Sequence, residues 1–170
     1  MDTFFEQIVA VRKTPKDWAA FIGIWLAALV LCGASVFLIG LLSSFAFLLI
    51  AGVLYGAFKL STRLSIEYEY IVTNGTMDID KIIAKSSRKR QLSFELSAVE
   101  RLERYHPDAK PVGNFSKTVI ACDENDPDAF FMVVSEEKKG TRLLVFAPEE
   151  RMQQAIVKSL PKYIANHAFE

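Results

Sequence analysis

The chain has 170 residues, 51% of them apolar, and its twenty Lys and Arg balance twenty Asp and Glu. A zero net charge argues against nucleic acid as the main partner, which would need a basic face. The two cysteines, Cys32 in the apolar N-terminal block and Cys122 in the soluble part, should be far apart and unpaired, and they fit a reducing cytosol.

The N-terminal stretch MDTFFEQIVAVRK opens with capping-box spacing at Thr3 and Glu6, and Phe4, Phe5, Ile8 and Val9 share one helical face. This predicts a short amphipathic helix over residues 1–16, lying in the inner membrane interface, with packing on the cytosolic domain as the alternative.

From Trp18 to Phe58 there is no Asp, Glu, Lys, Arg or His, a block of 41 residues (18 to 58). As one helix it would run roughly 60 Å, about twice the hydrocarbon thickness of a bilayer. Gly40, Ser43 and Ser44 form a cluster of turn-tolerant residues near its midpoint, which predicts a two-helix transmembrane hairpin over 17–63 with spans at Asp17 to Ile39 and Leu42 to Leu60. Arg12, Lys13 and Lys16 precede the block and Lys59 and Arg63 end it, while the turn is uncharged, so both termini are expected in the cytoplasm of a multi-pass cell-membrane protein. A cleaved secretory signal has a shorter apolar core, and a lipoprotein signal needs a small residue where Leu31 precedes Cys32. Within the second span Gly52 and Gly56 make a small-xxx-small pair, a candidate helix-packing face toward the first span at Gly33 and Ala34, or toward a second copy of the chain.

The soluble remainder, 64–170, is mildly acidic. Residues 1–63 hold five cations and three carboxylates, leaving fifteen and seventeen for the rest. From Leu64 the period becomes two: Leu64, Ile66, Tyr68, Tyr70 and Val72 alternate with Ser65, Glu67, Glu69, Ile71 and Thr73, and Asn74-Gly75 follows as a hairpin turn. A second strand passes through Met77 and Ile79 with Asp78 and Asp80 outward. A third sets Leu92, Phe94 and Leu96 against Gln91, Ser93 and Glu95, and a fourth includes Val99, Leu102 and Tyr105 before a loop from His106 to Asn114. Apolar runs at Thr118 to Cys122, Phe130 to Val134 and Leu143 to Phe146 complete seven strands, separated by the turns DENDPD (123–128) and SEEKKGT (135–141). Pro148-Glu149-Glu150 then starts a helix whose inner face holds Met152, Ala155, Ile156, Leu160, Tyr163 and Ile164, interrupted at Pro161.

Seven antiparallel strands closed by a C-terminal helix is the pleckstrin-homology (PH) arrangement. The segments Tyr70-Ile71-Val72-Thr73-Asn74-Gly75 and Arg90 to Glu100 (RQLSFELSAVE) resemble the first hairpin and following strands of bacterial PH-like domains, some of which are fused to membrane hairpins. The resemblance implies a mainly-β domain, a β barrel, over 64–170. It also implies an interaction module at the cytoplasmic face that presents a protein- or peptide-binding surface. Lipid-binding relatives carry cations around the first hairpin, whereas here that turn is Thr73-Asn74-Gly75-Thr76.

A separate basic cluster, Lys85, Arg88, Lys89 and Arg90, is the candidate contact for anionic lipid or a partner. Its alternative use is as a solvated strand entry that discourages edge pairing. No catalytic constellation is recognised: His106 and His167 stand alone, and there is no zinc-protease motif, nucleophile elbow or glycine-rich phosphate loop. Asp123, Glu124, Asp126 and Asp128 lack the spacing and central glycine of a calcium loop. The sequence therefore predicts no enzyme, cofactor or metal. It predicts a bilayer and a protein as partners, with anionic-lipid sensing or service as an accessory subunit of a membrane enzyme or transporter as the alternatives.

Overall fold

The computed structural model of the protein describes residues 4–37 and 45–169. These fall into two compact units. One comprises the described residues of Met1–Val11, Glu67–Ile82 and Ser87–Glu170, and the other those of Arg12–Ile66 and Ile83–Ser86.

In the second unit, helix α1 spans Pro15–Phe37 and helix α2 spans Phe45–Thr62. The start of α1 is fixed by a reciprocal cap: the Thr14 backbone N–H and hydroxyl both donate to Asp17 Oδ2 at 2.8 Å, the Asp17 N–H donates back to Thr14 Oγ1, and Pro15 occupies the first turn. The helices lie antiparallel, since Cys32 and Val36 share a cleft with Ile50, and Ile24 shares one with Gly56 and Leu60. Their other faces are exposed and apolar, with Leu29 and Phe47 more than two-thirds accessible. Ser35 and Ser61 satisfy their hydroxyls on backbone carbonyls of their own helices. By length and composition α1 can cross a membrane, and the apolar stretch Phe47–Thr62 of α2 is shorter. The expected turn at Gly40, Ser43 and Ser44 lies outside the described residues.

The first unit is a β domain of eight strands: β1 (Phe4–Ala10), β2 (Ile66–Thr73), β3 (Thr76–Ile83), β4 (Ser87–Glu95), β5 (Val99–Arg104), β6 (Lys117–Ile120), β7 (Phe130–Glu136) and β8 (Gly140–Phe146). They form two four-stranded sheets, ordered β1-β2-β3-β4 and β5-β7-β8-β6. Three expectations change. Residues 4–10, expected as an amphipathic helix, are a strand paired antiparallel to β2, with Phe4 opposite Thr73 and Ala10 opposite Glu67. The strand count is eight, and the set is not all antiparallel, because β6 runs parallel to β8. The two sheets also stand apart rather than closing into one hydrogen-bonded barrel.

The Asn74-Gly75 hairpin is as expected, both residues having positive φ (47° and 85°), and the Gly75 carbonyl accepts from Leu96 N–H. Ala84 and Lys85 make a second such turn between β3 and β4 with φ of 56° and 55°, a conformation that costs a residue with a Cβ.

The core lies between the sheets, filled by Tyr70, Val72, Met77, Ile79, Leu92, Phe94, Met132, Leu144 and Phe146. Helix α3 (Glu150–Val157) covers it with Met152, Ala155 and Ile156. Pro161 ends that pattern as expected, and the short helix α4 (Lys162–Ala165) adds Ile164. Tyr163, expected on the buried face, is instead 67% exposed, because the break at Pro161 resets the helical phase. Tyr70 ties the fold together: its hydroxyl donates to the Ala121 carbonyl at 2.7 Å and accepts from the Ala147 N–H at 3.3 Å.

A second apolar cluster sits on the outer face of the β5-β7-β8-β6 sheet, where Phe131, Val133, Leu143 and Val145 pack with Tyr105, Cys122, Ala129 and Phe115. Phe115 folds back so closely on Gly113 that a Cβ there would lie 2.7 Å from its ring.

Candidate functional site

The sequence pointed to Lys85, Arg88, Lys89 and Arg90. The structure puts Lys85 in the strained β3-β4 turn and the other three on β4, exposed. Two of them are already committed to carboxylates. Arg90 bridges Asp78 at 2.6 Å and Asp80, with which it forms two contacts, and the Asp80 hydrogen bond holds its guanidinium firmly protonated. Arg88 Nη2 lies 3.0 Å from Glu69 Oε1, covering a side chain only 1% exposed. Burial, and then the neighbouring Glu6 carboxyl, push the Glu69 carboxyl above its usual range against the pull of Arg88. The outer face of the first sheet is therefore a network in which strand cations meet strand carboxylates, rather than a bare basic patch.

The seam between β4 and the second sheet is bridged by cations of a different kind. Lys117 donates to the Gln91 carbonyl, while Lys139 and Arg142 reach the Ser93 carbonyl at 3.4 and 3.5 Å. These side chains cap the acceptors that an edge strand would otherwise expose. Arg142, with its side chain 8% exposed, is itself held by Glu136.

At the opposite seam the sheets part around a cleft of about 540 Å³. Ile8 and Val9 of β1, Phe130 of β7 and Phe169 near the C-terminus contribute the apolar part of a mostly polar lining. Asp126 and Asp128 from the β6-β7 loop and Glu149 and Glu150 at the start of α3 rim it, with Arg104 of β5. Phe130 and Phe169 stack edge to face at 4.9 Å between ring centres. Arg104 lies over Phe130 and donates to the Pro127 carbonyl at 3.3 Å and to Asp128 at 3.4 Å, so one of the four carboxylates is matched by a cation.

Gln7 fixes the frame. Its amide donates to the Ala147 carbonyl at 3.1 Å and accepts from the Glu149 N–H at 2.9 Å, pinning the entry of α3 to β1. Sequence reading missed Gln7 because it read this segment as a helix. The signal was the row Phe5, Gln7, Val9, a period of two whose middle member is polar.

The helix pair has two apolar clefts of its own. A Cβ built on Gly33, Gly52 or Gly56 would meet no neighbour within 4 Å, so open space lies beside each of them in the single chain. The loop carboxylates Asp123 to Asp128 form a turn, with Asp126 N–H donating to the Asp123 carbonyl and Asp128 N–H to Asp126 Oδ1. His106 is exposed, as a loop histidine was expected to be.

A family model described as bacterial PH-like domain (DUF6106) matches residues 1–166. The chain belongs to that family. The match takes in β1 and the helix pair as well as the β domain, so the PH-like unit of this chain includes its N-terminal strand. Membership suggests a non-catalytic interaction module, and α1 suggests association with a membrane. No curated protein and no solved structure matches the chain.

Proposed function

We propose that this PH-like protein is a membrane-tethered interaction module whose β domain captures an extended segment of a protein partner in the cleft beside β1, at the cytoplasmic face and without catalysis. The observation that carries the reading is the cleft itself. It runs along a strand with no partner on its outer side among the described residues, its mostly polar lining includes the exposed Ile8, and Gln7 holds its frame. A terminal strand beside an open cleft is the geometry by which sheets accept an added strand. Lipid-headgroup binding through Lys85 to Arg90 is disfavoured, because Arg88 and Arg90 already face carboxylates.

The tether is read as two spans. The pairing of Ala10 with Glu67 in one sheet supports this reading, since a segment that begins and ends on one side of a bilayer crosses it an even number of times. Helix α2, of 18 residues, is about 27 Å long, close to the hydrocarbon thickness. The cations at Arg12, Lys13, Lys16, Lys59 and Arg63 favour the cytoplasm for both ends.

The test uses the full chain in nanodiscs. Random decapeptides are displayed and selected against the parent and against Ile8→Lys, while reporters fused to each end read the topology. Binders lost with Ile8→Lys and two cytoplasmic reporters are expected. Failure to select any binder that depends on Ile8 would refute the cleft reading. Salt-sensitive binding to anionic vesicles that disappears when Arg88, Lys89 and Arg90 become Ser would replace it with the lipid reading.

A further inference from the structure

We infer that the segment taken by this cleft is cationic: an extended stretch in which Lys or Arg alternates with bulky apolar residues, of the kind that flanks the membrane helices of other proteins on their cytoplasmic side. The inference rests on the cleft reading above and adds the chemistry of the occupant.

Charge supplies the argument. Residues 64–170 exceed neutrality by only two negative charges, yet Asp126, Asp128, Glu149 and Glu150 converge on one opening from two separate segments. Arg104 is the one cation among the lining residues, and it is engaged by Asp128 and the Pro127 carbonyl. The remaining carboxylates repel an acidic peptide or an anionic headgroup and attract a cationic strand, while Ile8, half exposed, and the partly buried Phe169 offer contact to apolar side chains.

A strand laid beside β1 sends alternate side chains to opposite sides. One set then lies on the side of the exposed Ile8 and the other on the side of Gln7, whose amide accepts from the Glu149 N–H at the acidic rim, which is why alternation is the pattern that fits. The local supply of such segments follows from the tether. Loops next to membrane helices are enriched in Lys and Arg on the cytoplasmic side, where the domain is proposed to sit.

The full chain in phosphatidylcholine nanodiscs, free of anionic lipid, is titrated by fluorescence anisotropy with three labelled decapeptides: alternating Lys and Val, alternating Glu and Val, and alternating Lys and Ser. The Lys-Val peptide is expected to bind, the Glu-Val peptide not to bind, and the Lys-Ser peptide to bind at least about tenfold more weakly for want of apolar contact. Combining Asp126→Asn, Asp128→Asn, Glu149→Gln and Glu150→Gln keeps the shape of an exposed rim and should weaken the Lys-Val peptide about tenfold and flatten its salt dependence. Equal binding of the Lys-Val and Glu-Val peptides, both lost with Ile8→Lys, would overturn the inference and leave the cleft reading standing. No binding of the Lys-Val peptide would also overturn it, and the displayed-peptide selection then decides whether the cleft reading falls with it.

Discussion

On the outer face of the first sheet, β2 and β3 present Glu69, Asp78 and Asp80 to Arg88 and Arg90 of β4. On the outer face of the second, β7 and β8 present Phe131, Val133, Leu143 and Val145 to Tyr105, Phe115 and Cys122. The inner faces are alike, so the difference lies in how each sheet disposes of its second face. The first is written with charges that pair across strands, Glu69 and Asp80 being buried in those pairs, whereas a face under a loop is written with apolar residues, and its strands become unbroken hydrophobic runs. Phe130 to Val134 are buried without interruption, while β2 mixes buried and half-buried positions.

The largest effect is expected from Val145→Asp, which places an unpaired charge at a position 1% exposed. It should cost several kcal/mol, about 3 or more, and abolish cooperative melting by circular dichroism. Thr73→Asp, on an exposed position of the first sheet, should change stability by less than about 0.5 kcal/mol. Similar losses for both would mean that the two outer faces are equivalent.

Next comes the thiol under the 105–116 loop. Burial pushes Cys122 up to about 12, so its thiolate is scarce at pH 8. Alkylation by iodoacetamide should be at least about a thousandfold slower than in denatured protein. Rapid modification of Cys122 in the folded chain would show that the cover opens freely.

Deleting residues 1–10 removes β1 and the Gln7 pin. The remaining domain should lose about 2 to 4 kcal/mol, seen as a lower thermal midpoint, because Phe5 and Val9 pack on the core. Gln7→Ala alone should account for about 1 kcal/mol of it. A truncated chain as stable as the parent would mean that β1 contributes nothing to the sheet.

The smallest effect concerns Glu69. A raised carboxyl pKa means that the folded state holds the proton more tightly than the unfolded one. The stabilisation is therefore complete below the unfolded value near 4.5 and is lost as pH rises through the folded value. Glu69→Gln should accordingly melt at or above the parent at pH 7, with the advantage shrinking toward pH 4. An advantage that grew on acidification would reverse the sign of the shift.

Much of the first sheet was legible because β2, β3 and β4 follow one another through short turns and alternate visibly, and Asn74-Gly75 announces the first reversal. The strand β1 was not. Its seven residues, FFEQIVA, satisfy a helical face as well as a period of two, and its partner β2 lies beyond the whole apolar block. The parallel β6-β8 pair was hidden for a related reason, since local pattern says that a strand exists but not which neighbour it takes.

The basic cluster was readable as charge. Its partners were also on the page, as outward Glu69, Asp78 and Asp80, but matching them required the order of strands. The cleft could not be read in advance, because its lining comes from β1, β5, β7, the β6-β7 loop, the start of α3 and the C-terminal Phe169.

The pairing of β1 with β2 also sets an order of events during synthesis. β1 is made first, yet its partner follows roughly fifty-five residues later, which at about 5 to 20 residues per second is a wait of roughly 3 to 11 seconds. During that interval α1 and α2 are made, and on the proposed topology the sheet can form only if the two strands emerge on the same side of the bilayer. A chain whose second helix failed to insert would strand β1 and β2 on opposite sides, with Phe5 and Val9 uncovered and the first sheet lacking its edge. On the proposed topology the sheet would work as a checkpoint on insertion: its completion would report that both helices have been threaded, and its absence would leave an unfolded strand for cellular proteases to recognise.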